Sequence, residues 1–157
     1  MLFRSMILSD SKKVVEWRNN KDILKWMFKK NKISIEDHIN WFNSKKNRYD
    51  YIIIDKIKNK PIGTVNYVLS SVNKFEAEAG KLIGEKEYWG KGYAKEAFKI
   101  WIDFGFNNLF LNKIIVKTNV NNLANIGLNK SLGFKKIKIF NENKNEILLM
   151  SIIKNEK

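Results

Sequence analysis

Apolar residues recur along the chain with two different periods, and these periods predict its strands and helices. In the first third, the pattern predicts one strand and then three short helices. The strand covers residues 2–8, and the helices cover residues 11–18, 22–28 and a segment that begins after Ser34. Serine and aspartate side chains accept hydrogen bonds from the first amides of a helix, so residues 9–11 and Ser34 are good positions for a helix to begin. This part of the chain is therefore predicted to be one strand and a group of small helices.

The rest of the chain has a different pattern. Apolar segments at residues 49–55, 61–68 and 75–83, separated by polar turns, predict an antiparallel meander. Further elements are predicted as a helix over 91–107, a strand over 113–118, a helix over 123–131, and strands over 134–140 and 146–153. The order is β, α-cluster, βββ, α, β, α, ββ, without a repeat or a linker. It predicts a single mixed α/β (α+β) domain over residues 1–157, with one sheet flanked by helices.

Composition limits the possible functions. The 157 residues carry a formal net charge of +14, which by itself favours an anionic partner. Only three of the 30 basic residues are arginines, namely Arg4, Arg18 and Arg48. Lysine lacks the planar fork with which arginine reads bases and phosphates, and abundant Lys, Asn and Ile are typical of an A/T-rich genome. Nucleic acid is therefore an unlikely partner in this interpretation, and a generic solvated basic surface is favoured.

Cysteine and histidine usage excludes several kinds of site. The sequence has no cysteine and one histidine, His38, so disulfides, a thiolate nucleophile and Cys-ligated or His-cluster metal sites are excluded. The apolar start at residues 1–8 is interrupted by Arg4, and no apolar run approaches the 20 or so residues of a membrane span. We expect no metal, no membrane insertion and a cytoplasmic location.

The most informative segment is residues 87–97, which follows a predicted strand and precedes the long helix. Gly90 and Gly92 allow a tight turn whose amides can approach a ligand, and the helix start adds unpaired N–H donors. Such a turn can cradle a pyrophosphate. It is not a Walker loop, and a meander rather than a βαβ unit precedes it, so a dinucleotide site fits poorly. A glycine-rich turn without a ligand is the alternative.

The residues Gly90-Lys91-Gly92-Tyr93-Ala94, followed by Glu96-Ala97, resemble the coenzyme A loop of the GNAT acetyltransferases. The form is that of the ribosomal-protein N-terminal acetyltransferase branch, with Glu87 where the family loop begins with Gln or Arg. Further similarity lies in Asn122-Leu123-Ala124-Asn125, Leu132-Gly133-Phe134, Glu78-Ala79-Gly80-Lys81, Trp17-Arg18-Asn19 and residues 38–42. The resemblance implies the GNAT fold, with a mostly antiparallel sheet splayed between strands 4 and 5.

The resemblance also implies acetyl-CoA as co-substrate. Exposed strand amides at Leu82, Ile83 and Gly84 would pair with the pantetheine arm. The pyrophosphate would rest on the amides of Trp89, Gly90, Lys91, Gly92, Tyr93 and Ala94. Asn122 and Asn125 would contact the coenzyme from the opposite side, although Asn122 is also a good helix cap.

Acetyl transfer to an amine needs a base for the amine proton. The family carboxylate corresponds to Glu78, and strand alternation places Glu76 on the same face as the second candidate or as a substrate-binding carboxylate. Both could instead be solvent-facing strand residues. Asn129 stands where many family members have a tyrosine that protonates the leaving thiolate. Without a cysteine for an acetyl-enzyme, we predict direct transfer from CoA to the amine.

The acceptor pocket is predicted to be lined by the N-terminal helices, through Arg18, Trp26, His38 and Trp41. These residues also resemble bacterial enzymes that acetylate UDP-4-amino-4,6-dideoxy-N-acetyl-altrosamine for surface glycans, which implies Arg18 and His38 near a nucleotide. Simple packing of these side chains is the alternative. Three functions stay open: nucleotide-amino-sugar acetylation, acetylation of protein N-termini or small amines including antibiotics, and a CoA- or RNA-binding module with a degenerate site. The sequence does not distinguish a monomer from a homodimer.

Overall fold

A computed structural model describes residues 1–155, and its elements follow the predicted order. The strands are β1 (Leu2–Ser5), β2 (Arg48–Asp55), β3 (Lys60–Leu69), β4 (Glu76–Ile83), β5 (Lys113–Asn119), β6 (Lys135–Glu142) and β7 (Asn145–Ile153). The helices are α1 (Ser11–Asn19), α2 (Lys21–Leu24), α3 (Ile35–Ser44), α4 (Tyr93–Asn107) and α5 (Leu123–Ser131). The last two residues of the predicted domain lie outside the described part.

Two predicted boundaries near the N-terminus are wrong. The first strand ends at Ser5 rather than residue 8, because the Asp10 carboxylate binds the Arg4 guanidinium twice at 2.7 Å and accepts the Ile7 amide at 2.9 Å. These contacts turn the chain into a short 3₁₀ segment before α1. The second helix is only one turn long and ends at Leu24. The capping box predicted for α3 is present, with Ser34 and Asp37 each accepting the other's amide.

The seven strands form one sheet in the order β1-β2-β3-β4-β5-β7-β6. Every neighbouring pair is antiparallel except β4 and β5. These two parallel strands pair only over Glu76–Glu78 and Lys113–Ile115, although β4 continues to Ile83 and β5 to Asn119. The predicted splay between strands 4 and 5 is therefore confirmed, and it leaves a wedge-shaped opening in the middle of the sheet.

Helices cover the two faces of the sheet. On one face, α4 packs a buried core against β3, β4 and β5, with Trp101 stacked on Tyr67 at a ring distance of 4.8 Å. On the other face, Trp17 of α1 packs with Ile52 and Leu82. Burying these side chains supplies most of the favourable free energy of folding, at about 1.5–3 kcal/mol for each large one. Among residues 1–155, the helices are too short and too polar to cross a bilayer.

Glu85, directly after β4, ties the helical layer to the sheet. Its carboxylate accepts the Trp17 indole N–H at 2.8 Å and pairs with Lys13 and Lys60, each at 2.9 Å. Burial opposes ionisation of this group, but the hydrogen bonds from Lys13, Trp17 and Lys60 outweigh burial and lower its pKa to about 2. The ionised carboxylate therefore holds α1 against the end of β4.

This lowered pKa predicts an acid-sensitive contribution to stability. The folded pKa of Glu85 lies below its ordinary value of 4.5, so the contribution is present above pH 4.5 and is lost as the pH falls toward 2. In urea unfolding from pH 6 to pH 2, the midpoint of the wild type is expected to fall more than that of Glu85→Gln. Glu16→Gln, at the exposed partner of Lys13, is the control and should follow the wild type. Parallel curves for wild type and Glu85→Gln would contradict the assignment.

Candidate active site

The splay of β4 from β5 opens a groove of about 460 Å³ through the sheet. One wall is the free edge of β4, and the opposite wall is β5 with the start of α5. The lining residues from these walls are Ala79, Gly80, Lys81, Leu82, Ile83, Val116, Lys117, Thr118, Asn119, Asn122, Ala124, Asn125 and Leu128. Residues of α2 and the turn after it (Asp22, Ile23, Trp26, Met27 and Phe28), with Trp89 and Ala94, complete the lining. This groove is the candidate active site.

Backbone hydrogen bonding decides which β4 amides face the groove. The Gly84 amide donates to the Ile62 carbonyl at 2.8 Å, so it points toward β3. Successive amides of a strand point to opposite edges, so the Leu82 amide also faces β3, where Leu82 is paired with Thr64. The predicted free donors at Leu82 and Gly84 are thus used inside the sheet. The Ile83 amide, and with it the Lys81 amide, face the open edge.

The glycine-rich turn lies at one end of the groove. Gly90 and Gly92 have φ values of 70° and 83°, in the left-handed region that side chains disfavour, and Gly92 is the N-cap of α4. The Trp89 indole donates to the Ile83 carbonyl at 2.8 Å, which fixes the turn to the end of β4. The first amides of α4 have no intrahelical acceptor and carry the positive end of the helix dipole. The turn can therefore hold a phosphate.

Only some of the predicted turn residues line the groove. Trp89 and Ala94 do. Gly90, Lys91 and Gly92 form the exposed turn beyond it, and Tyr93 packs edge-on against Tyr88 at a ring distance of 4.8 Å. The backbone of this turn, rather than its side chains, is what the fold offers to a ligand.

Two asparagines form part of the far wall. The Asn122 side chain caps α5 by accepting the Asn125 amide at 3.2 Å, and the Asn125 side chain donates to Thr118 at 3.0 Å. Both residues line the groove. The cap and the exposure to the groove coexist at Asn122, as the sequence suggested.

A buried polar network missed by sequence reasoning lies where the strands begin to diverge. The Lys81 ammonium donates to the Asn129 side-chain oxygen at 2.7 Å, and the Asn129 amide group donates to Thr118 at 3.3 Å. Burial lowers the pKa of Lys81 to about 7. A signal was available, because alternation from the buried Ala77 and Ala79 places Lys81 on the core face of β4.

The two predicted carboxylates lie on the opposite face of the sheet, at the rim. Glu78 pairs with Lys117 at 3.5 Å, and Lys117 lines the groove. Glu76 pairs with Lys113 at 3.1 Å. It lies two residues before Glu78, where β4 and β5 are still paired, and is therefore further from the groove. Neither carboxylate lines the groove directly, and Glu78 is the nearer of the two to it. A carboxylate in this position can accept a proton directly or through water.

Of the four residues predicted to line an acceptor pocket, Trp26 alone lies in the groove. His38 is 2% exposed and its Nδ1 lies 3.0 Å from the Ser11 hydroxyl, which makes it a packed core histidine. Burial, with a smaller effect of the Arg18 guanidinium, lowers its pKa and keeps the ring neutral. Trp41 packs against His38 and lies under Arg48, with 4.8 Å between the guanidinium and the ring. Arg18, His38 and Trp41 therefore lie apart from the groove lining.

Comparisons with known proteins agree with this geometry. A sequence model of the acetyltransferase (GNAT) domain matches residues 1–135. An uncharacterized protein of Methanocaldococcus jannaschii is 32% identical over 146 residues, covering 91% of this chain and 30% of the relative. An uncharacterized N-acetyltransferase, p20, of Bacillus licheniformis is 36% identical over 106 residues, covering 68% of this chain and 54% of the relative. The chain thus spans about a third to a half of these relatives.

Solved structures share the fold. The crystal structure of spermidine N-acetyltransferase from Vibrio cholerae, in complex with CoA and spermine, superposes with a TM-score of 0.86. It is 21% identical and covers 97% of this chain and 94% of its own. The splayed sheet, the glycine turn before α4 and the match over residues 1–135 agree with one another. The chain therefore belongs to the GNAT acetyltransferase family.

Proposed function

We propose that this GNAT domain transfers the acetyl group of acetyl-CoA directly to a primary amine of a small, anionic molecule. The observation that carries the proposal is the groove, which joins a free strand edge to a phosphate-binding turn. An extended ligand arm can pair with such an edge in the manner of an added strand. A pyrophosphate can rest at the same time on the helix start. Acetyl-CoA has both parts.

The described residues suggest how the coenzyme is held. Its pyrophosphate lies against the amides from Trp89 to Ala94, where the glycine conformations expose the backbone. The pantetheine arm pairs with the groove-facing amides of Lys81 and Ile83. Asn122 and Asn125 contact it from the α5 side. The thioester then lies near the point where β4 and β5 diverge, beside Ala79 and Lys81.

The transfer step requires a neutral amine and a place for its proton. Glu78 is the proposed base, because it is the nearer to the groove of the two β4 carboxylates on the acceptor face, with Glu76 as the second candidate. The amine attacks the thioester carbonyl, the C–S bond breaks, and the amine proton passes to the carboxylate or to a water molecule held by it. The products are the acetamide and CoA.

Charge and aromatic surface favour an anionic, planar acceptor. Trp26 and Phe28 line the acceptor end of the groove, and the Lys25 ammonium lies 5.5 Å from the Trp26 ring. The one carboxylate in the lining, Asp22, is bound to Lys86. Lysines at the mouth attract an anion and repel a polycation. A nucleotide-activated amino sugar, specifically the 4-amino group of a UDP-amino-sugar, fits this surface best.

The test measures CoA release from acetyl-CoA with a panel of acceptors. The panel contains 4-amino UDP-sugars, peptides with free N-termini, spermidine and aminoglycosides. The nucleotide sugars are expected to react at the highest kcat/KM, and Trp26→Ala should raise their KM while the Kd for CoA stays the same. Faster turnover of a peptide would assign the protein N-terminal or small-amine function instead. No CoA binding by calorimetry would overturn the acetyltransferase proposal itself.

A further inference from the structure

The Lys81 side chain lines the groove between β4 and β5, and no step of the proposed reaction has yet used it. Resting on that proposed function, we propose that Lys81 is a catalytic residue that binds and protonates the sulfur of CoA as it leaves. In its common surface role a lysine extends into water, whereas this one runs along the core face of β4 beneath α4 and α5. Since Lys81 also lines the groove, its side chain is placed to act on a ligand bound there.

Two contacts hold the Lys81 ammonium in place. Its Nζ lies 2.7 Å from Asn129 Oδ1 and 4.0 Å from the centre of the Phe98 ring. Asn129 is fully buried and is itself oriented by its bond to Thr118, so its oxygen points toward Lys81. One strong acceptor leaves two of the three ammonium hydrogens available for other partners. Because Lys81 lines the groove, its ammonium can reach the arm of a coenzyme bound there.

The surroundings of Lys81 contain no counter-ion. Within residues 1–155, no carboxylate lies within 4.0 Å of its ammonium, and α4, α5 and β5 present Phe98, Asn129 and Thr118 to it. The other charged residues of those elements and of β4 are exposed or on the other face of the sheet, namely Glu76, Glu78, Lys95, Glu96, Lys99, Asp103, Lys113, Lys117 and Lys130. A buried cation without a partner is a site ready for an anion. A thiolate formed in the groove would be such an anion.

The chemistry of the leaving group matches the donor. When the tetrahedral intermediate collapses, the C–S electron pair passes to sulfur, and a thiolate with an ordinary pKa near 8.5 forms. The Lys81 ammonium, with its pKa lowered by burial to about 7, is the stronger acid, so the proton moves from nitrogen to sulfur. CoA leaves as the thiol, and the neutral Lys81 amine regains a proton from solvent.

An equilibrium titration tests the contact without an acceptor. CoA is bound to the protein and its thiol is titrated by the ultraviolet absorption of the thiolate. Because Lys81 loses its proton before the thiol does, the bound thiol of the wild type is expected to have about the same pKa as in Lys81→Met. Lys81→Arg keeps its charge throughout this pH range, so it should hold the pKa of the bound thiol at least about one unit below that of the wild type. Lys99→Met, at an exposed lysine on α4, is the matched control and should leave the thiol pKa unchanged.

Kinetics with the best acceptor of the panel test proton transfer. An acid must be protonated to act, so wild-type kcat is expected to fall as the pH rises through about 7. Lys81→Met should lower kcat at least about 10-fold, a modest loss because thiolates leave readily, while the Kd for CoA rises by no more than a few-fold. Lys81→Arg should keep CoA binding but lose this limb of the pH profile, since its guanidinium does not deprotonate.

The outcomes separate the two proposals. CoA binding with the same thiol pKa in wild type and Lys81→Arg, or equal kcat in wild type and Lys81→Met, overturns the role of Lys81 alone. A fall of wild-type kcat below pH 7 that Lys81→Met abolishes would show Lys81 acting as a base, and it also overturns the role. Failure of the wild type to bind CoA overturns the proposed function itself. Thermal melting of each variant confirms that a loss does not come from unfolding.

Discussion

Replacing Glu78 with glutamine is expected to lower kcat by about 100- to 1000-fold, the usual contribution of a general base. Glutamine has nearly the same shape and can still accept a hydrogen bond from Lys117, but it cannot take up a proton. The Kd for CoA should stay unchanged, because Glu78 lies at the rim of the groove rather than among the coenzyme contacts. The measurement is CoA release under saturating acceptor, with CoA binding followed separately by calorimetry.

Glu76→Gln is the matched control for this prediction. Its carboxylate has the same chemistry and the same strand face, but it pairs with Lys113 further from the groove. Its kcat is expected to stay within a few-fold of the wild type. If Glu76→Gln loses the rate and Glu78→Gln keeps it, the base is Glu76. If neither variant loses the rate, a water molecule without a carboxylate partner takes the proton, and the assignment is wrong.

Replacing Gly84 with alanine is expected to destabilise the fold by about 3 kcal/mol, at the upper end of the usual cost of overpacking a core. A Cβ at this position would lie 2.0 to 2.3 Å from three ring atoms of Trp17. The ring cannot withdraw, because it is 3% exposed and its N–H is bound to Glu85 at 2.8 Å. The Gly84 backbone is held to Ile62 at 2.8 Å. For a chain of this size the melting temperature should fall by about 10 °C.

Gly127→Ala is the control for the glycine prediction. Gly127 lies in α5, and an added Cβ there has no neighbour within 4 Å. Alanine is a better helix former, so this variant is expected to be more stable by up to about 1 kcal/mol. Equal melting temperatures for Gly84→Ala and the wild type would show that Trp17 and β4 can separate without cost. In that case Glu85 could not be the tie between α1 and the sheet that its contacts indicate.

Much of the coenzyme side of the groove could be predicted from the sequence, because its features are local. Glycine at residues 90 and 92 predicts a left-handed backbone conformation, which other residues disfavour, and both positions have a positive φ. Asn122 is a good helix cap by residue type, and it caps α5. Strand alternation correctly places Glu76 and Glu78 on one face, away from Ala77 and Ala79.

The acceptor side could not be predicted in the same way. Aromatic and cationic residues in the N-terminal helices suggested a pocket, but helical spacing does not tell whether a polar side chain faces a ligand or a neighbouring element. His38 faces Ser11, and Trp41 packs between His38 and Arg48. Of the four residues predicted for the pocket, Trp26 alone lines the groove.

The order of the elements and the glycine turn before α4 follow from the sequence alone, because period, capping and backbone preference are properties of neighbouring residues. The packing of the whole chain sets where β4 separates from β5, which amides of β4 remain free, and that Lys81 meets Asn129 from 48 residues away. The physical reason is that a buried position in a sequence pattern does not identify its partner. A lysine at such a position can be a destabilising buried charge or a charged group that faces a groove. Which of the two it is depends on the residues that the packed sheet and helices place beside it.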